Sequence, residues 1–251
     1  MKLLVIVLCL LSERYLTHKV ALNRFSWFGT YCDKLLAVIP NIRFLQHPLV
    51  LMLVVILPWI GIIALAIGLL KSYLLGFIGF FMQLVVFYYC LGPDNAFYPL
   101  SAPKKKNAHQ ALDAGNYLAV VNNQLFGVIF WYLALGPLAV IAYRLFSLCQ
   151  KQSKLVAKAK WITSLLDWIP ARLTVIFYLL VGNFQQGFKC LLQKKLLAPS
   201  ENNRLLTEVG LLAVRAQTDE QLSLPAAQGL VEYALILSLV FVALFTLVSW
   251  L

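Results

Sequence analysis

The stretch LVLMLVVILPWIGIIALAIGLL, Leu49 to Leu70, contains no charged residue. At a helical rise of 1.5 Å per residue it extends about 33 Å, enough to cross a hydrocarbon core of about 30 Å. Pro58 predicts a kink within it. Three further runs read the same way. Ser72–Leu91 follows after the single charge of Lys71, so the two runs predict a tight helical hairpin. The end of that second run, FYYC, places Phe87, Tyr88 and Tyr89 where an interfacial aromatic belt lies. Leu125–Phe146 is interrupted by Gly136-Pro137 and carries Arg144 near its end. Gly229–Leu251 is uncharged from Tyr233 onward.

The whole chain agrees with these runs. It is 61% hydrophobic and 12% charged, against about 25% charged in an average soluble domain. Because the excess is gathered into uncharged stretches, a water-soluble fold could not cover it with polar surface. The expectation is an all-α fold: a polytopic helical integral membrane protein with four transmembrane helices and one or two short or re-entrant elements. It forms a single membrane domain over residues 1–251, with 92–124 and 185–228 as extramembrane connecting segments. The lipid bilayer is its first partner.

Two shorter runs leave alternatives open. Leu3–Leu11 follows Lys2 like the core of a signal peptide, but no small-residue cleavage site comes after it, only Ser12-Glu13-Arg14. It reads as a retained short anchor or as the first half of a helix continuing past Glu13. Leu173–Phe184 is too short to cross upright. It either re-enters or extends backwards through Trp161–Pro170 as an oblique helix.

The net charge is +11, from 21 Lys+Arg against 10 Asp+Glu. The basic residues lie between the apolar runs, as in cytoplasmic loops facing acidic lipid. No nucleic-acid-binding module is present, so no nucleic-acid partner is expected. The run Lys104-Lys105-Lys106 and the set Lys151, Lys154, Lys158 and Lys160 are the densest groups. The second set falls mostly on one face of a predicted surface helix. Asn202–Gln217 reads as ordinary soluble helix. If the segments before Leu49 and after Leu91 are cytoplasmic, a simple crossing by Leu125–Phe146 would put Lys151–Lys160 outside, against the charge bias. The conflict disappears if the Gly136-Pro137 element turns back inside the membrane, or if Leu173–Phe184 restores the count.

Chemistry-bearing residues are sparse. The chain has no G-x-x-x-x-G-K-[ST], H-E-x-x-H, G-x-S-x-G or G-x-G-x-x-G motif. Its five cysteines, Cys9, Cys32, Cys90, Cys149 and Cys190, are widely spaced and never form C-x-x-C. His18, His47 and His109 are equally isolated, so no metal site and no cofactor are expected. Only Asp219-Glu220 are adjacent acids, and they lie in a polar linker. The informative polar residues border apolar sequence: Asn123, Tyr143, Arg144, Asp167, Pro170 and Arg172. At a bilayer centre Arg144 would cost about 2.5–3.5 kcal/mol, much less near a helix end, where it can snorkel. Pro170 interrupts a hydrogen-bond ladder, and the flanking Asp167 and Arg172 can satisfy the freed groups or pair with each other. The result is either a membrane corner locked by a salt bridge or a polar ligand pocket. Glu232 suits the head of the last helix, where a carboxylate is favoured.

Three strings, FGVIFWYLALGPLAVIAYRLF (Phe126–Phe146), LLDWIPARLTVIFYLLVGNF (Leu165–Phe184) and LLTEVGLLAV (Leu205–Val214), resemble the AmpE membrane proteins of Gram-negative bacteria. LLSERY near Leu11 and CLGPDN (Cys90–Asn95) fit the same pattern, so the resemblance touches most of the chain. AmpE proteins are related to the CobD/CbiB adenosylcobinamide-phosphate synthases, whose P-A-R-L is matched by Pro170–Leu173. The other synthase signatures depart. The glutamate and aspartate of E-N-x-x-D-G fall on Asn122 and Phe126. The aspartate of Y-K-A-x-N-T-L-D-S falls on Gln150, and the paired aspartates before the P-A-R string fall on Thr163 and Ser164. Amide, hydroxyl and phenyl groups do not bind Mg²⁺ as carboxylates do and are not general bases at neutral pH.

The resemblance therefore implies a non-enzymatic, multi-pass regulator or sensor of the inner membrane of a Gram-negative bacterium. It would act with AmpD in β-lactamase induction and cell-wall recycling signalling, and its partner would be a cell-wall-recycling metabolite or another membrane protein. The alternative is a residual CobD/CbiB-like transferase acting on a corrinoid or another phosphorylated metabolite.

Overall fold

A computed structural model describes residues 2–15, 24–38, 48–70, 77–92, 110–152, 155–193, 198–214 and 224–248. His18, His47, His109, Lys154, the Lys104–Lys106 run, Asp219-Glu220 and the first part of the Ser72–Leu91 run lie outside them. The described residues are almost all helical, with no strand among them. In chain order the helices are α1 (Lys2–Tyr15), α2 (Ser26–Val38), α3 (Pro48–Leu70), α4 (Phe77–Cys90), α5 (Gln110–Val121) and α6 (Gly127–Leu135). They continue with α7 (Pro137–Cys149), α8 (Val156–Leu166), α9 (Trp168–Val181), α10 (Phe184–Gln193), α11 (Asn202–Val214) and α12 (Leu224–Val248). A π-helical turn, Asn122–Phe126, joins α5 to α6.

Three stretches are long and apolar enough to cross a membrane: Leu49–Leu69, Ala114–Leu135 and Leu224–Val248. α8 and α9, taken as one broken span, would make a fourth. Only 17% of the first stretch and 22% of the last are buried inside the protein. Their outward side chains, such as Leu53, Leu57, Ile62 and Leu65 on α3, need lipid rather than water around them. α4 and α7 are apolar but shorter.

The chain forms two compact units, Met1–Asp94 with Val128–Leu166, and Asn95–Gly127 with Asp167–Leu251. In the first, α1 packs along α4, and α7 packs against α3, α4 and α8. Val5, Ile6, Cys9, Met52, Val55, Phe87 and Tyr132 are fully buried there. α3 runs through Pro58, and the Tyr31 hydroxyl donates to the Val55 carbonyl (3.4 Å), close to the gap that proline opens in the ladder. α1 continues through Glu13 to Tyr15, as one of the two readings of Leu3–Leu11 required. In the second unit, α11 lies against α5 and α9, and α12 packs on the same two helices. Its core is Tyr117, Leu118, Val121, Leu125, Tyr178, Leu205, Leu206 and Val209.

Several boundaries differ from expectation. The third span runs from Ala114 to Leu135 rather than from Leu125 to Phe146. Gly136 (φ 88°) adopts a conformation that side-chain-bearing residues rarely take, and Pro137 then opens α7 as a new helix. Pro170 sits in the first turn of α9, where its missing N–H is not needed, and the Ala171 N–H still reaches the Asp167 carbonyl (2.9 Å). It helps start a helix rather than interrupt one. α12 begins at Leu224, so Glu232 lies about two turns inside it and not at its head. Lys151 lies in the turn after α7, apart from Lys158 and Lys160 on α8, so they share no single surface helix. α11 is not an ordinary solvated helix: Asn202, Leu205, Leu206, Val209, Gly210 and Ala213 are all buried.

Cys9, Cys32, Cys90 and Cys149 are buried, and Cys190 is half-buried. In α2, burial and then the neighbouring Asp33 push the Cys32 thiol up to about 11, so it carries little nucleophilic thiolate near neutral pH. In mild detergent a maleimide is expected to label Cys190 alone, and all five sites after denaturation. Mass mapping checks this; early labelling of Cys32 would contradict the packing of α2.

Candidate functional site

The sequence candidates divide between the units. Asn122, Asn123, Phe126, Asp167, Pro170 and Arg172 belong to the second, and Tyr143, Arg144, Gln150, Thr163 and Ser164 to the first.

In the second unit the π turn widens the helix by one residue and directs Asn122, Gln124, Leu125 and Phe126 inward. Asn122 is completely buried. Its Oδ1 accepts from the Thr174 hydroxyl on α9 (2.8 Å), and its Nδ2 donates to Asn123 Oδ1 (3.2 Å). The Phe126 ring meets Tyr178 edge-on (5.9 Å), and the Tyr178 hydroxyl donates to the Leu118 carbonyl (3.4 Å). Small residues permit this closeness. A Cβ on Gly115 would strike Thr207, and one on Gly210 would strike Leu118.

Asp167 is buried at the head of α9, where a carboxylate meets the positive end of the helix. Arg172 donates through Nη1 to the Trp168 carbonyl of its own helix (2.6 Å) and to Asn202 Oδ1 on α11 (3.0 Å). Its guanidinium lies 4.4 Å from the Trp168 ring centre. These contacts tie α9 to α11.

The Asn122–Thr174 bond predicts a measurable coupling. Thr174→Val strands the Asn122 carbonyl oxygen and is expected to cost about 1–3 kcal/mol. Adding Asn122→Leu should cost less than the sum of the two single changes. Detergent-solution melting of the four proteins checks this.

In the first unit Arg144 is buried, and it donates through Nε (2.9 Å) and Nη2 (2.6 Å) to the carbonyl of Cys90, the last residue of α4. A second arginine does the same work beside it. Arg24 Nη1 donates to the carbonyls of Tyr88 (2.9 Å) and Leu91 (3.3 Å), its Nη2 meets Glu13 Oε2 at 2.5 Å, and its guanidinium lies 4.5 Å from the Tyr88 ring centre. Two cations thus satisfy the orphan carbonyls at the negative end of α4. The Glu13–Arg24 pair was not among the sequence candidates. Its signal was a lone acid at the end of an apolar run, which calls for a partner without saying which. Tyr143 is buried. Thr163 turns its hydroxyl back to the Ala159 carbonyl (2.7 Å), a local bond open to any helical threonine.

Arg144 also lines a cavity of about 160 Å³ with Phe25, Trp27, Trp59, Val85 and Tyr89. Its guanidinium is engaged with Cys90, so what the cavity presents is ring and hydrocarbon. Such a wall suits an apolar group and not a sugar or a phosphate. A second cavity of similar volume, sharing the Phe25 wall, adds Ser26, Lys151 and Gln152. Among the described residues, no group of three His, Cys, Asp or Glu side chains is placed to hold a metal ion. The buried Asn122, Thr174, Tyr178, Arg24 and Arg144 join one segment to another through hydrogen bonds, whereas Thr163 bonds within its own helix. No protein-family model, curated protein or solved structure matches the chain.

Proposed function

We propose that this chain is a non-enzymatic regulator or sensor of the AmpE type. It resides in the inner membrane of a Gram-negative bacterium, crosses it four times with α8 and α9 acting as one broken crossing, and acts with AmpD in β-lactamase induction. The reading rests on the strings Phe126–Phe146 and Leu165–Phe184 together with the loss of the synthase carboxylates. The single observation that carries most weight is Asn122. It stands where the related synthases have a glutamate, and its amide is committed to Thr174 inside the protein. An amide there can neither hold Mg²⁺ as a carboxylate does nor remove a proton. The apolar wall of the first-unit cavity favours an input from lipid or from another membrane protein over a sugar bound at that point.

Deleting the gene from a strain with inducible β-lactamase is expected to change induction by a β-lactam, and restoring the chain should reverse the change. Expression in a strain lacking adenosylcobinamide-phosphate synthase should give no rescue. Rescue there would overturn the non-enzymatic reading in favour of a residual transferase. An unchanged β-lactam response would remove the regulatory one.

A further inference from the structure

α10 carries an apolar stripe that nothing among the described residues of the second unit covers. Phe184, Phe188 and Leu192, spaced four apart, are 49%, 39% and 69% exposed. The two phenylalanine rings stack with centres 5.1 Å apart. The helix is held from another side. Gly187 is buried so closely against Leu179 of α9 and Val209 of α11 that a Cβ there would collide with Leu179. Gln185 and Lys189, also exposed, form the polar edge next to the stripe.

Two observations decide what covers it. First, α9, directly before α10, has its own exposed apolar stripe of Ile169, Leu173, Ile176 and Leu180. This is a lipid-facing surface on a helix of the broken span, and the chain passes from it to α10 through only Gly182 and Asn183. Second, from Phe184 to Ser200 the sequence contains Lys189, Lys194 and Lys195 and no acid. A second copy of the same face would bring like charges together, whereas a bilayer surface of anionic lipid complements them.

We propose that α10 is an in-plane interfacial helix that binds the anionic leaflet. Phe184, Phe188 and Leu192 lie among the upper acyl chains, and Lys189 reaches the lipid phosphates. This assignment needs only that the chain is in a membrane, and it is independent of any regulatory role.

The test uses the full chain in vesicles, with Cys190→Ser and a nitroxide placed either at Phe184→Cys or at Gln186→Cys. At about 100° per residue these positions lie on nearly opposite sides of α10, Phe184 in the apolar stripe and Gln186 beyond the polar edge. In phosphatidylcholine–phosphatidylglycerol vesicles the label at 184 should collide with oxygen and be shielded from a water-soluble nickel chelate. The label at 186 should show the reverse. Lys189→Gln should lower the inserted-to-released ratio about fivefold in these vesicles and leave it unchanged in phosphatidylcholine alone. Access of nickel to position 184 would overturn the proposal. So would shielding from both reagents, which would mean that protein or a second copy covers the stripe. An effect of Lys189→Gln that is equal in both lipids would overturn the anionic preference.

Discussion

Glu13→Ala is expected to lower the stability of the first unit by about 3–5 kcal/mol, because it leaves the Arg24 guanidinium buried without its carboxylate. Both side chains are almost inaccessible, 5% exposed for Arg24 and 1% for Glu13, so water cannot replace the lost partner. The damage should spread. Arg24 is also a donor to the Tyr88 and Leu91 carbonyls, and any movement towards solvent would uncap α4. The surface pair Arg204–Glu208 provides the contrast. Glu208 holds the Arg204 pKa above its usual value through a hydrogen bond and its charge, but that arginine is 58% exposed, so solvent screens the pair and Glu208→Ala should cost little. Thermal unfolding of both variants in one detergent compares the two magnitudes directly. Equal losses would mean that the Glu13–Arg24 pair is not buried.

The second large effect belongs to Gly182, which ends α9. A Cβ at this position would overlap the backbone carbonyl of Ala213 on α11, and backbone cannot swing aside as a side-chain tip can. The same carbonyl accepts the N–H of Asn183 (2.9 Å). Gly182→Ala should therefore separate the ends of α9 and α11, break that bond and cost about 1–3 kcal/mol. Gly229→Ala is the control. Nothing lies within 4 Å of its Cβ position inside α12, so the change should be neutral or stabilise by about 0.5–1 kcal/mol. Protease resistance in membranes ranks the two. A harmless Gly182→Ala would show that α9 and α11 do not approach as closely as described.

The apolar elements were the legible ones. α3 and α12 show in the sequence because few of their residues face protein, so uninterrupted hydrophobicity is the only pattern that lipid permits. Ala114–Leu135 was harder to read because half of it is buried, and burial tolerates polar residues that lipid does not. Asn122 and Gln124 break the hydropathy there, yet Asn122 is satisfied by Thr174. The π turn left no signal in the hydropathy, although it directs Asn122, Gln124, Leu125 and Phe126 inward. Arg144 was marked out by its position at the end of an apolar run. Its partner was not, because a backbone carbonyl at Cys90 has no sequence identity to detect. The stripe Phe184, Phe188 and Leu192 was visible as a spacing of four. It was hidden by the adjoining apolar run, whose last residue is the first of the stripe.

The most direct measurement is fractionation of cells expressing the full chain, with the membranes washed in alkaline carbonate and floated on a density gradient. A protein whose α3 and α12 are surrounded by lipid must float with the washed membranes and enter solution only with detergent. Recovery of the folded chain in the carbonate supernatant would contradict the account at its base, because those helices would then have found another way to cover their apolar surfaces.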